Sequence, residues 1–121
     1  RIDMNDTHLA IGCYPGGSSF KVLELSTLSS PSYQTVPGKD CPSEVSFNDK
    51  GFFIPDNDNI IGWNSVTDAL AGSSPTMSFG GRTDKSNMGT KMASGIGWDG
   101  YHFWVGEYKF SNRLLGFAPS K

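Results

Sequence analysis

The residues able to do chemistry are few and scattered. Asp56 and Asp58 stand two apart in a polar turn, with Asn59 beside them. Such a turn can offer oxygens to Ca²⁺, but that cation takes six or more. Two carboxylates and an amide are better suited to Asx turns that bond their own backbone. Calcium is thus a weak option, and no cofactor is expected. Cys13 and Cys41 fit no zinc pattern, because no Cys-x-x-Cys pair occurs and His8 and His102 lie far apart in the chain. Glu107, Tyr108 and Lys109 are adjacent, a carboxylate and an aromatic that could grip a sugar or a peptide, and Tyr14 is of the same kind. Glu44 is the one obvious candidate for an acid or base. No nucleophile elbow and no glycine-rich phosphate loop accompanies these residues. Their types point to binding rather than to catalysis.

The bulk properties narrow the partners. The chain has 121 residues, with 10 Lys+Arg against 12 Asp+Glu and a net charge of -2. No basic excess exists to neutralise a phosphate backbone, so nucleic acid is excluded as the expected partner. No apolar run is long enough to span a bilayer as a helix. The chain opens on Arg1 rather than Met, so upstream residues are expected to have been removed or left out. Richness in Gly, Ser, Asn and Thr with modest charge suggests a secreted or cell-surface protein. Asn5-Asp6-Thr7 matches a glycosylation sequon, which matters only in a secreted eukaryotic chain. Fifteen Gly and seven Pro are too many for a helical bundle, whereas 36% hydrophobic residues suffice for a core.

These residues must be positioned by a repeat. Asp3-Met4-Asn5-Asp6-Thr7-His8-Leu9-Ala10-Ile11 aligns without a gap on Ser46-Phe47-Asn48-Asp49-Lys50-Gly51-Phe52-Phe53-Ile54. Both align on Gly97-Trp98-Asp99-Gly100-Tyr101-His102-Phe103-Trp104-Val105. Met4 and Phe47 are 43 residues apart, Phe47 and Trp98 are 51 apart. Each copy reads as an alternating strand, a tight Asn/Asp/Gly turn, a uniformly apolar strand suited to cover on both faces, a second polar turn and a third strand. Fourth strands are expected at 33–36 and 76–79, whereas the third copy reaches Lys121 before one. Residues 64–72 could hold one helical turn. Four strands per unit at this spacing predict an all-β fold of β-propeller blades, each of about four antiparallel strands. The repeats are expected at about 1–40, 41–91 and 92–121 within a single segment. A β-sandwich or jelly roll would explain the strands but not three ungapped copies.

The segment from Asp56-Asn57-Asp58-Asn59 through Ile60-Ile61-Gly62-Trp63-Asn64-Ser65 to Gly72, followed by Met77-Ser78-Phe79-Gly80, resembles the NHL-type repeat. Gly97-Trp98-Asp99-Gly100 and Ser111-Asn112-Arg113-Leu114 resemble its next copy. Asn-Arg before the third strand is kept only at Asn112-Arg113; the second copy has Asn59-Ile60. The resemblance implies a propeller, and three blades do not close a ring, since propellers have about four to eight. The chain is therefore expected to be either a piece of a longer propeller or a homo-oligomer that completes the ring.

In that architecture the loops between strands two and three and between blades share one face. The expected ligand-binding loop face carries Tyr14, Glu44, Asp56, Asp58, Arg82, Glu107 and Tyr108. Cys13 and Cys41 fall on the same rim, so a disulfide stapling blades one and two is expected, two buried thiols being the alternative. His8 and His102 share a repeat position beside a turn and read as exposed. Trp63, Trp98 and Trp104 read as packing between blades. The expected role is a non-catalytic module binding a glycan or protein ligand through this face, or an assembly unit. The alternative is a propeller lyase or hydrolase with Glu44 at the central channel.

Overall fold

The computed structural model describes residues 2–13, 20–39, 42, 44–56, 59–80, 93–107 and 114–119. These residues are mostly antiparallel strand, forming three sheets in chain order. The first is β1 (Ile2–Met4), β2 (His8–Ile11), β3 (Lys21–Glu24) and β4 (Tyr33–Gln34), with a 3-10 turn at Leu25–Thr27. The second is β5 (Ser46–Asn48), β6 (Gly51–Asp56), β7 (Asn59–Trp63) and β8 (Met77–Gly80). The third is β9 (Ala93–Trp98), β10 (Phe103–Glu107) and β11 (Leu114–Pro119). Between β7 and β8 lies the expected helical turn, α1 (Val66–Leu70), capped where the Ser65 hydroxyl accepts the Asp68 N–H.

The first hairpin turn is built the same way in each sheet. An Asn or Asp side chain accepts the backbone N–H two residues on: Asn5 from Thr7 at 2.9 Å, Asn48 from Lys50 at 2.8 Å, Asp99 from Tyr101 at 2.8 Å. Gly51 stands where the other copies have His8 and His102. Its φ is +142°, and a Cβ there would run into the Trp63 carbonyl oxygen, so only glycine fits.

The strand registers superimpose. Leu9 pairs with Leu23, Phe52 with Trp63, and Phe103 with Phe117. One step along, Ala10 pairs with Val22, Phe53 with Gly62, and Trp104 with Gly116. Because side chains alternate across a strand, these two rows lie on opposite faces of their sheets.

The sheets stack face to face, and the two rows fill the two junctions. Ala10, Val22 and Phe20 of the first sheet share one buried cluster with Val45, Phe52, Ile54 and Trp63 of the second. Phe53, Ile60 and Phe79 of the second share another with Phe103, Val105 and Phe117 of the third. β6 therefore has no solvent face, and Phe52, Phe53, Ile54 and Pro55 are all buried. Gly62 leaves the floor on which the Phe53 ring lies; a Cβ there would strike that ring. Aromatic rings meet at angles across the second junction, with Phe53 and Phe103 centroids 4.8 Å apart and Phe79 and Phe103 at 4.9 Å.

The first strands of the three sheets lie side by side, β1 against β5 and β5 against β9. Polar bonds tie them. Asp3 Oδ2 accepts the Phe47 N–H at 2.7 Å, and the Trp98 indole N–H donates to Asp49 Oδ1 at 2.9 Å. The second and third sheets also touch at one edge, where Phe79 and Gly80 pair with Pro119 and Ala118. The outer edge of β11, where a fourth strand would attach, is thus partly occupied by β8. Among the described residues none of the sheets closes on itself.

Uniformly apolar second strands were expected to be covered on both faces. That holds for β6 and not for β10, where Trp104 is exposed. Among the described residues the third sheet has a neighbour on one side only, so its outer row stays in solvent. Phe53→Ala should therefore lower the unfolding free energy by about 3–5 kcal/mol in urea titration, whereas a cost below about 1 kcal/mol would contradict a doubly covered β6.

Candidate functional site

The expected loop face begins at the ends of β2 and β6. The Cys13 N–H, just past β2, donates to the Pro42 carbonyl at 2.8 Å. The base of the β2–β3 loop and the connector between the first and second sheets thus meet on one rim. The same connector turns at Val36–Lys39, where the Lys39 N–H returns to the Val36 carbonyl at 3.3 Å. The Lys39 ammonium then reaches Asp56 Oδ2 at 2.9 Å, at the end of β6. Both side chains are about a quarter exposed, so the pair positions the connector more than it stabilises it.

Glu44 lies between this connector and β5 and is 6% exposed. Among the described residues it is the most deeply placed carboxylate of the rim, next in the chain to the buried Val45. Among the described residues, no three His, Cys, Asp or Glu side chains gather as a metal site. Asp56 is engaged by the Lys39 ammonium, and residues 57 and 58 of its turn lie outside the described residues.

Of the expected loop-face residues, Glu44 and Asp56 are on this rim. Glu107 ends β10, and its side chain lies outside the described structure. Tyr14, Asp58, Arg82, Tyr108 and Cys41 lie outside the described residues. Among the described residues no cysteine is a free thiol.

At the opposite end of the strands, the third hairpin carries a polar-aromatic cluster. Asp99 Oδ1 accepts the N–H groups of Tyr101 at 2.8 Å and His102 at 2.7 Å. Its Oδ2 accepts the Trp104 indole N–H at 2.8 Å and lies 3.3 Å from His102 Nδ1. The His102 backbone N–H, then the Trp104 indole and the Tyr101 N–H, hold the Asp99 carboxyl well below the usual carboxylate range. His8 Nδ1 lies 2.8 Å from the Thr7 hydroxyl. Both histidines are half-buried rather than fully exposed.

Two features escaped the sequence reading. Lys39 has no marker beyond its place in a polar connector. The Asp99–Trp104 bond had a signal: a charged Asp stands where the other copies carry a neutral Asn, five residues before the exposed tryptophan. No protein family, curated protein or solved structure matches the chain.

A carboxyl whose folded pKa is depressed contributes stability above its unfolded pKa and loses it as pH falls toward the folded value. Asp99→Asn keeps the turn acceptor found in the other two sheets and removes the charge. The melting temperature of the native chain should therefore exceed that of Asp99→Asn near pH 7, and the gap should narrow as pH drops below about 4. A gap independent of pH between 7 and 2 would contradict an ionised, hydrogen-bonded Asp99.

Proposed function

We propose that this chain is a non-catalytic binding module built of propeller blades, whose loop rim takes a glycan in preference to a protein. One observation carries the reading. The β2 end, the connector and the β6 end converge on a single rim through the Cys13–Pro42 and Lys39–Asp56 bonds. Loops gathered on one side of a rigid scaffold are the usual place for ligand contacts.

The chemistry of the rim favours a polyhydroxylated ligand. Asp56, about a quarter exposed, brings carboxylate oxygens, which accept from hydroxyls. Tyr14 and Tyr108 would add aromatic faces for the C–H face of a sugar ring. Sheets stacked with their first strands adjacent support the propeller form, and the Cys13–Pro42 bond supports a Cys13–Cys41 staple across the first junction. A disulfide there fits a secreted or surface location.

The burial of Glu44 favours the second reading, a propeller enzyme, because titratable groups in apolar surroundings mark functional sites. That reading needs further acids or bases converging on Glu44, and the binding reading needs none.

The test is a printed glycan array probed with the native chain, followed by titration calorimetry on any glycan retained. Tyr108→Ala and Asp56→Asn should each weaken that binding at least tenfold while leaving the melting temperature within a degree or two. Absence of binding to every glycan, or binding unaffected by both substitutions, would overturn the carbohydrate reading.

A further inference from the structure

Four large apolar residues that the fold leaves in solvent are inter-sheet residues without a sheet to meet. The strand registers identify them. Trp104 occupies the position of Phe53: each lies opposite a glycine on the next strand, Gly116 and Gly62, and each ring rests over that glycine. Phe53 is 0% exposed because the third sheet covers it, whereas Trp104 is 39% exposed. Leu114 occupies the position of Ile60, since Gly106 pairs with Leu114 as Pro55 pairs with Ile60. Ile60 is 0% exposed and Leu114 is 67% exposed. The outward face of the third sheet therefore presents the row that, in the first and second sheets, packs against the following sheet.

The first sheet presents the opposite row. Ile2 and Met4 stand in the repeat positions of Val45 and Phe47, and of Ile96 and Trp98. In the second and third sheets those residues pack against the preceding sheet. In the first sheet, Ile2 and Met4 are exposed, beside half-buried Leu9 and Ile11 on the same face. The two end faces of the molecule are thus the two halves of one junction, a junction that the chain already forms twice within itself.

We infer that copies of this chain join head to tail, the Trp104 face of one on the Met4 face of the next, and that two copies close a ring of six sheets. A second copy is the occupant because each chain carries both halves in the register that the internal junctions use. The contact is heterologous, so both end faces are consumed in each copy when the ring closes. The shapes suit one another. The third sheet's face carries Trp104 flanked by Gly97 and Gly116, with Leu114 standing further along the same face. The first sheet's face is built of longer aliphatic side chains that can settle over those glycines.

The test is light scattering on the native chain at about 50 µM, together with Leu114→Glu and Met4→Glu. Each substituted residue is more than half exposed, so a charge there stays solvated in a single copy and the fold is kept, which circular dichroism checks. The native chain should have twice the 13.1 kDa mass of one chain. Each variant alone should run as one chain, since either change breaks both junctions of the ring. Mixed in equal amounts, the two variants should regain the doubled mass, because one copy's intact Trp104 face meets the other's intact Met4 face. A native chain of single mass overturns the inference. So does a doubled mass that is lost in one of the two variants and kept in the other, which would mean like faces meeting, or a failure of the mixture to recombine.

Discussion

The structure depends on β6 having two neighbours. Phe52 and Ile54 point into one junction and Phe53 into the other, so a single strand supplies the centre of both buried clusters. A strand buried on both faces must be apolar at consecutive positions, and its partners must then bring complementary rows from either side. Gly62 and Gly51 follow from this. One makes room beneath the Phe53 ring, the other lets the hairpin turn beneath the Trp63 carbonyl. The polar bonds at the inner strands, from Asp3 to Phe47 and from Asp49 to Trp98, then fix how the sheets are set against each other.

Much of this is legible in the amino-acid sequence. The ungapped alignment of Met4, Phe47 and Trp98 marked positions that share one strand register, because a period of two ties each residue to a face. The hairpin turns were legible from Asn5, Asn48 and Asp99, whose side chains reach their own backbone. The extent of cover was not. Trp98 and Trp104 look alike in the chain, yet one packs in a junction and the other lies on an outer face, and local periodicity carries no information about whether a further sheet stands opposite. The pairing of β8 with β11 was hidden for the same reason, since it joins residues about 40 apart by edges and leaves no mark on side-chain pattern.

The rim was legible only in part. Its acidic members, Glu44 and Asp56, were visible as residues near strand ends. The cation that engages Asp56 was not, because Lys39 comes from a connector whose path depends on the Cys13–Pro42 bond. Charge at the two ends of the strands is thus handled in different ways. On the rim a carboxylate is held by an ammonium from another element. At the third hairpin Asp99 is held by N–H groups of its own turn and by the indole of Trp104.

Native-state hydrogen exchange measures the dependence on β6 most directly, because amides in the most deeply covered strand open only with the whole molecule. The amides of Phe52, Phe53 and Ile54 should exchange with the free energy of global unfolding, and those of β1 at least tenfold faster. Amides of β6 that exchange as fast as those of β1 would contradict a fold organised around a doubly covered strand.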